Sequence, residues 1–417
     1  MGLRIPRFAV KTIKSTVGWV LLFGRRKTGK SFMVRNMCQY DSYYFVTRTR
    51  AIFHIFDEQF EELDYRVFLE RVRRGLLEEG IIVIDEFHRL PSTFLDFLHA
   101  YKPRSTAKLI LIMSSLRYVS NILGPKSPLL GIVTPIEVGL FDPRELTVVL
   151  YGKWSPTQTL LISTLAQDPV VFEDLQLGDS PKVFLGKILG KIRMVVPALI
   201  GEIFAEEDFE LTERYEAILK ALASGNHSPG QVASFISGFF QESLKSQDVK
   251  KYINNLVRMG IADRFKIFQK KRYYYQIASP IIDLYYYLDA RTGFSEMKVP
   301  EKILYTEAQA KLPLYFENYI LKALAIVFNG NPEKAPHLGI DGVITTKNEA
   351  LAIVEIKLGT IHTAEIKKFL KRTANINAPK IIVARNKIEH KKVKVITHEQ
   401  LLDELYKKGR VLLEREQ

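Results

Sequence analysis

The sequence predicts an α/β protein of several domains, with a mostly parallel sheet in its N-terminal part. Three apolar runs support this prediction, because each is rich in the aliphatic and β-branched residues typical of strands buried on both faces. The runs are Val17–Phe23, Gly80–Ile84 and Lys108–Met113, and polar residues follow each of them. A chain of 417 residues is long enough for about two to four domains.

The composition indicates a globular protein that binds polyanions. Lys and Arg number 60 against 46 Asp and Glu, which gives a formal net charge of +14 and favours a partner such as DNA. The single cysteine, Cys38, excludes a disulfide framework within the chain and suits a reducing, cytoplasmic location. Because no apolar run approaches the length of a membrane-spanning helix, we expect no membrane partner.

The residues after the first run fit the phosphate-binding pattern G-x-x-x-x-G-K-[ST]. We expect Lys30 to reach the β- and γ-phosphates of a nucleotide and Ser31 to ligate Mg²⁺. The glycines let successive backbone N–H groups point at phosphate oxygens, and the following helix start adds its positive dipole end. A glycine-rich basic turn is the structural alternative. The predicted cofactor-binding residues are Gly24, Arg25, Arg26, Lys27, Thr28, Gly29, Lys30, Ser31 and Phe32.

Polar side chains end the second and third runs as well. Asp85 and Glu86 follow the second run, at the carboxyl end where open α/β sheets bind ligands. We expect Asp85 to anchor Mg²⁺ and Glu86 to be the base that activates water, with a solvated acidic turn as the alternative. Ser114, after the third run, is a candidate sensor of the γ-phosphate.

Changes in pattern divide the chain into four predicted domains. Residues 1–150 are the nucleotide-binding core, and residues 151–210, which have helical periodicity, are a lid on it. The pattern of residues 211–290 predicts three short helices followed by a β-hairpin, which is the order of elements in a winged helix-turn-helix. Its third helix and the basic Lys270–Arg272 would contact DNA, although such modules also serve protein contacts. Residues 291–417 are the fourth domain.

This last domain contains two carboxylates and a lysine in a catalytic arrangement. Leu351–Lys357 reads as a buried strand in which Glu355 and Lys357 share a face. A hairpin brings Asp341 alongside Glu355, so that the two can hold Mg²⁺ while Lys357 positions or deprotonates the attacking water. Glu317, in a helix-like stretch upstream, would complete the site. A structural ion pair is the alternative.

Taken together, these motifs resemble the archaeal and bacterial P-loop ATPases of the AAA+ and STAND-related group. Members of that group carry a winged helix and a C-terminal restriction-endonuclease-like α/β domain of the PD-(D/E)XK type. The resemblance spans the chain in domain order, and its most specific pieces are Gly24–Ser31, Ile81–Glu86 and the set Asp341, Glu355 and Lys357. It implies ATP binding and hydrolysis, Mg²⁺ dependence and a potential DNA-cleaving activity.

Two departures from the family pattern concern the nucleotide. Nothing in residues 1–17 matches the phenylalanine-glycine-arginine-glutamate segment that helps seat adenine in the family, which leaves the base specificity open. The family also carries a Gly-Arg pair near residue 135, whereas Gly131 is followed here by Ile132. Arg117, or an arginine from a second subunit, is the candidate replacement.

The leading hypothesis is an ATP-regulated enzyme in which nucleotide turnover controls the access of duplex or branched DNA to the C-terminal acids. The alternative is an ATP-dependent signalling switch or transcriptional regulator that binds DNA without cleaving it. A defence- or antitoxin-like activity is a third hypothesis, but no residue of the sequence favours it over the other two. The assembly, monomer or homo-oligomer, stays open.

Overall fold

The structure is a computed structural model that describes residues 3–56, 59–125, 127–238, 245–347 and 349–414. Within these residues the N-terminal unit is a seven-stranded sheet with the order β4-β3-β2-β5-β6-β1-β7. Its strands are β1 (Trp19–Phe23), β2 (Ser42–Val46), β3 (Ile52–Phe56), β4 (Gln59–Leu63), β5 (Ile81–Asp85), β6 (Lys108–Met113) and β7 (Val133–Glu137).

The predicted parallel sheet is confirmed. The strands β2, β5, β6, β1 and β7 pair in parallel, whereas β3 and β4 add an antiparallel edge. Because β1, β6 and β5 are adjacent and parallel, the residues that follow them leave the same edge of the sheet. The helices of this unit are α1 (Phe8–Ser15), α2 (Lys30–Met37), α3 (Tyr65–Leu77), α4 (Thr93–Tyr101), α5 (Leu116–Ile122) and α6 (Pro143–Leu150).

A helical segment follows the sheet. It consists of α7 (Pro156–Leu165), α8 (Pro169–Phe172) and α9 (Pro181–Glu206). Each helix starts with proline at its first position after a Ser or Asp N-cap, at Ser155, Asp168 and Ser180. This order suits a helix start. The cap side chain accepts hydrogen bonds from free backbone N–H groups, and the N–H that proline lacks would have no partner within the helix at this position.

Three helices and a two-stranded hairpin come next. They are α10 (Glu213–Ala223), α11 (Pro229–Ser237), α12 (Ser246–Arg258), β8 (Ala262–Lys266) and β9 (Tyr273–Ile277), and α13 (Pro280–Thr292) follows them. The strands β8 and β9 pair antiparallel. Apolar residues of α10, α11 and α12 share one hydrophobic core with α9 and α13, so this unit packs directly on the preceding helices.

The C-terminal unit begins with the long helix α14 (Glu301–Val327). Its described strands form a five-stranded sheet in the order β10-β11-β12-β13-β14, antiparallel up to β12 and parallel beyond. They are β10 (Asn331–Ala335), β11 (Ile340–Thr346), β12 (Glu349–Ile356), β13 (Lys380–Ala384) and β14 (Lys394–Thr397), with the helices α15 (Thr363–Arg372) and α16 (His398–Glu414).

The last helix returns to the N-terminal unit. Tyr406 of α16 stacks on Tyr151, which follows α6, with ring centroids 4.2 Å apart. Lys11 of α1 donates a 2.7 Å hydrogen bond to the carbonyl oxygen of Leu412. The two sheets are therefore connected through α16 as well as through the chain between them. Among the described helices, none combines the length and apolar character that crossing a membrane requires.

Candidate functional site

The phosphate loop, residues 24–31, forms the turn between β1 and α2. Gly24 is required there, because a Cβ at this position would lie 2.2 Å from the carbonyl oxygen of Val138. Gly29 has a φ of 86°, in the left-handed region, immediately before Lys30 opens α2. A tight turn that leads into a helix N-terminus is the backbone geometry that binds phosphate oxygens.

The side chain of Lys30 folds over this turn. Its Nζ donates hydrogen bonds to the carbonyl oxygens of Gly24 at 2.7 Å and Arg25 at 2.9 Å. Burial lowers the pKa of Lys30 to about 8, although the nearby Glu86 and Asp85 act in the opposite direction. The lysine thus lies at the centre of the loop, with both acids of the β5 end beside it.

Asp85 ends β5 beside the loop and has an oxygen that is free to bind an ion. Its Oδ2 accepts a 2.6 Å hydrogen bond from the Tyr43 hydroxyl, whereas its buried Oδ1 has no hydrogen-bond partner in the described part of the chain. Burial and Glu86 raise the pKa of Asp85, and hydrogen bonding by Tyr43 and Ser31 opposes the rise. A carboxylate oxygen and the Ser31 hydroxyl are hard donors, so these residues fit Mg²⁺.

Glu86 is buried in the left-handed conformation, with a φ of 57°. Its Oε1 accepts a hydrogen bond from the Ser114 hydroxyl and lies 3.7 Å from Nη1 of Arg26. Its Oε2 is buried and has no hydrogen-bond partner among the described residues. Ser114, predicted as a phosphate sensor, is therefore bonded to the predicted base.

The side chains of two loop arginines contact the α7–α9 segment. Arg25 forms a buried ion pair with Asp168 at 2.7 Å, and Arg26 binds Glu202 of α9 at 2.5 Å. Arg26 also lies 3.5 Å from Glu206. The sequence places both arginines in the nucleotide site through their position in the loop. In the structure the Arg25 guanidinium binds Asp168, whereas that of Arg26 lies between Glu86 of the site and the carboxylates of α9.

Glu206 and Glu207 have contacts that the sequence does not reveal, because they appear there as part of an acidic boundary. Glu206 binds Arg89 at 3.0 Å and His88 at 2.9 Å, both just beyond Glu86. Burial acts to raise the pKa of Glu206, but the hydrogen bond of His88 and the charge of Arg89 together lower this pKa to about 2. Glu207 accepts a 2.8 Å hydrogen bond from the backbone N–H of Arg117. The end of α9 is thus fixed to the nucleotide site.

A cavity of about 710 Å³ lies beside the loop and was not predicted. Its volume is in the range of small-molecule sites. Three groups of residues line it: Lys27, Thr28, Gly29 and Phe32 from the loop and α2; Leu3, Arg4, Ile5 and Arg7 from the N-terminus; and mostly apolar side chains of α8 and α9 such as Phe172, Met194 and Leu199. Since these segments are far apart in sequence, no local pattern marks the cavity.

The candidate replacement arginine, Arg117, does not lie in this cavity's lining. Its Nη1 donates a 3.3 Å hydrogen bond to the carbonyl oxygen of Glu207, and its guanidinium lies 5.7 Å from the ring centre of Phe209. Arg26 and Arg89 are instead the arginines next to Glu86, at 3.7 Å each.

The C-terminal acids come together at one side of their sheet. Oδ2 of Asp341 accepts a 2.6 Å hydrogen bond from the backbone N–H of Ile356, and Lys357 binds Oε1 of Glu355 at 3.1 Å. Burial and then Glu355 raise the pKa of Asp341 to about 6, while burial and then Asp341 raise the pKa of Glu317 to about 7. The structure therefore places all four predicted residues in one neighbourhood.

Two further cations belong to this neighbourhood and were missed. Arg372 of α15 binds Oε1 of Glu355 at 3.0 Å, and Glu355 keeps a buried Oε2 without a hydrogen-bond partner among the described residues. Lys334 of β10 is buried, which lowers its pKa to about 8 against the opposing effect of Asp341 and Glu317. The free Oε2 and the Asp341 carboxylate are a donor set that fits Mg²⁺.

Comparison with known proteins supports the nucleotide site. Residues 17–146 match the family model described as an AAA domain. An uncharacterized protein of Methanocaldococcus jannaschii is 24% identical over 266 residues, which cover 59% of this chain. The chain spans only 57% of the length of that curated relative.

Solved structures offer more distant likenesses. A Walker-type ATPase of Pyrococcus abyssi is 18% identical with a TM-score of 0.49, over 66% of this chain and 93% of that one. The ORC1 protein of Aeropyrum pernix, solved in complex with DNA, is 14% identical with a TM-score of 0.34, over 71% and 96% of the two chains. Residues 17–146 are therefore similar to an AAA domain, and the turn between β1 and α2 within them has the geometry of a phosphate-binding loop.

Proposed function

We propose that this protein hydrolyses ATP and uses the cycle to control the binding and Mg²⁺-dependent cleavage of duplex or branched DNA. In this proposal residues 1–150 are the ATPase core and residues 151–210 are its lid. Residues 211–290 are a winged helix-turn-helix, and residues 291–417 are a PD-(D/E)XK nuclease-like domain.

For the ATPase half, the geometry of the loop and of the β5 end supports the following roles. Lys30 and the loop backbone bind the β- and γ-phosphates, and Ser31 and Asp85 hold Mg²⁺, which would neutralise charge on the phosphates. Glu86 accepts a proton from the attacking water, and Ser114 orients Glu86. The apolar cavity beside the loop takes the base and ribose.

For the cleavage half, the observation that carries the proposal is the convergence of Glu317, Asp341 and Glu355 on Lys357. Asp341 and Glu355 would hold Mg²⁺, which would stabilise negative charge on the phosphodiester. Lys357 orients the water or takes its proton, and Glu317 completes the acidic cluster. Burial raises the pKa values of Glu317 and Asp341. Placing several buried carboxylates together is unfavourable for folding alone, which supports a functional site.

The test is to separate the two activities in the full chain. Lys30→Ala should abolish ATP hydrolysis, whereas Asp341→Ala or Glu355→Ala should abolish Mg²⁺-dependent nicking and leave ATP hydrolysis intact. The exposed Glu404→Ala is the control for both assays, since this residue lies on the outer face of α16. Absence of nicking on every linear, supercoiled and branched DNA tried, with Mg²⁺ or Mn²⁺, would remove the cleavage half.

An ATP-controlled DNA-binding switch without cleavage is the second candidate. Arg372 on Glu355 favours it, because a guanidinium that occupies this carboxylate competes with a metal ion. Under this alternative ATP and a non-hydrolysable analogue would change the affinity for DNA in a gel-shift series, while a parallel nicking assay stays negative.

A further inference from the structure

The hairpin β8–β9 is fastened to the edge of the C-terminal sheet. Ile267 forms a parallel bridge with Lys334 of β10, and the backbone N–H of Phe268 donates a 2.9 Å hydrogen bond to the carbonyl oxygen of Lys334. The Phe268 ring is buried in the core of that sheet beside Ala335 and Ile340. The hairpin tip, residues 269–272, therefore has a fixed place beside β10.

Ion pairs along β8 strengthen this attachment. Nζ of Lys266 lies 3.5 Å from a carboxylate oxygen of Glu333 in β10. Nζ of Lys322 in α14 lies 2.8 Å from Asp263 in β8. The charged side chains of Asp263 and Lys266 in β8 thus form ion pairs within the protein.

The basic residues at the tip are used differently. Lys270, Lys271 and Arg272 are exposed, and none of them pairs with a carboxylate in the described ranges of the chain. Their backbone groups close the turn, since the N–H of Lys270 donates to the carbonyl oxygen of Ile267 and the N–H of Ile267 to that of Arg272, whereas their side-chain charges point to no described carboxylate partner. They are available to an external polyanion, most simply a run of phosphates.

The tip also lies next to the acidic site. Lys270 is close enough to His337 to contribute, after burial, to lowering the pKa of that imidazole. His337 is four residues from Asp341, a span of at most about 14 Å for an extended chain. Between them, the carbonyl oxygen of Gly339 accepts a hydrogen bond from Arg372, which also binds Glu355.

We infer that the hairpin tip and the Asp341–Glu355 site form one binding face for a single DNA duplex. This inference rests on the proposed function, and it adds a geometric rule. Because the hairpin is packed into the nuclease-like sheet, the phosphates held by Lys270, Lys271 and Arg272 lie within about one helical turn, roughly 34 Å, of the cleaved bond. The recognition and cleavage units then engage DNA as one rigid body.

The first experiment measures affinity for a labelled duplex in the full chain. Lys270→Ala with Lys271→Ala should weaken binding roughly tenfold and reduce the slope of log affinity against log salt by about two. Lys298→Ala with Lys302→Ala is the matched control, because both lysines are exposed. Lys302 lies in the first turn of α14, about 22 Å along the helix from Glu317, and Lys298 precedes this helix. Equal affinities for the wild type and the tip variant would overturn the inference, as would selective binding of an RNA duplex of the same sequence.

The second experiment maps the tip on the DNA. An iron chelate attached to Gln269→Cys, in a Cys38→Ser background, should cut the duplex within about ten base pairs of the Mg²⁺-dependent cleavage position of the wild type. Cuts at a distant position would overturn the inference even though cleavage exists. If the wild type binds DNA and never cleaves it, the proposed cleavage fails, whereas the affinity and salt slope of the tip variant still decide whether this face binds DNA.

Discussion

Arg25 of the phosphate loop and Asp168 at the start of α8 form an ion pair of 2.7 Å in which both side chains are at most 4% exposed. Oδ2 of Asp168 also accepts a 2.7 Å hydrogen bond from Ser279, the N-cap of α13. One buried carboxylate thus joins the loop, the α7–α9 segment and the helix that follows the hairpin. If the loop rearranges when a nucleotide binds, the change would act directly on the α7–α9 segment and on α13.

This buried pair leads to a prediction on stability. Asp168→Ala should lower the free energy of unfolding by about 3–5 kcal/mol, because it leaves the Arg25 guanidinium buried without its counter-charge. The measurement is urea unfolding followed by circular dichroism. Glu70→Ala, which removes the partner of Arg73 on the exposed face of α3, is the control and should change stability little. A similar small effect of both substitutions would contradict the prediction.

The sequence predicts those parts of this protein that depend on local pattern. The runs before Gly24, Asp85 and Ser114 indicate β1, β5 and β6. The strands β2, β3 and β4 are not predicted. Of these, the edge strand β4 is polar and mostly exposed and lacks the apolar signal of the central strands, whereas β2 and β3 are largely apolar but short.

The site is less predictable than the fold, because its remaining members are brought in by distant contacts. Glu206 lies 120 residues from Glu86 and appears in the sequence as a solvated acid, yet it is buried with Arg89. Lys334 lies in a short edge strand with no motif around it, and it is placed by the hairpin and by α14. The spacing of residues along the sequence can identify the members of a site only where one helix or strand carries all of them.

The pKa of Lys30 gives a prediction on nucleotide binding. Burial lowers this pKa to about 8, and bound phosphates would raise it because they favour the charged ammonium. Affinity for MgATP should therefore be constant below pH 8 and fall by up to about tenfold per pH unit above it. Fluorescence titration with a labelled nucleotide measures this. Lys30→Arg, which stays charged, should bind more weakly but without this decline.

Ser114→Ala tests whether the serine acts through Glu86. The hydroxyl donates to Oε1 of Glu86, so its loss should lower kcat for ATP hydrolysis by about tenfold, the equivalent of one hydrogen bond of about 1.4 kcal/mol. The affinity for ATP should not change. Glu86→Gln should abolish hydrolysis and retain binding, and the double variant should be no slower than Glu86→Gln alone. A weaker affinity for ATP in Ser114→Ala would instead indicate contact with the γ-phosphate.

Glu317 provides a prediction on the C-terminal acids that does not depend on cleavage. Burial and the neighbouring Asp341 raise its pKa to about 7, whereas a glutamate in the unfolded chain titrates near about 4.3. The stabilising effect of protonated Glu317 is therefore complete below the unfolded pKa and is lost as the pH rises through about 7. Glutamine mimics the neutral form at every pH.

Glu317→Gln should consequently stabilise the protein more at about pH 8.5 than at about pH 5, with a difference on the order of 1–2 kcal/mol in the free energy of unfolding. This free-energy difference is smaller than the whole pKa shift of Glu317 would give, because the side chain is half-buried and solvent partly screens its charge. Urea unfolding at the two pH values measures the difference, with the exposed Glu404→Gln as control. The same change at both pH values would mean that burial and Asp341 do not raise the pKa of Glu317.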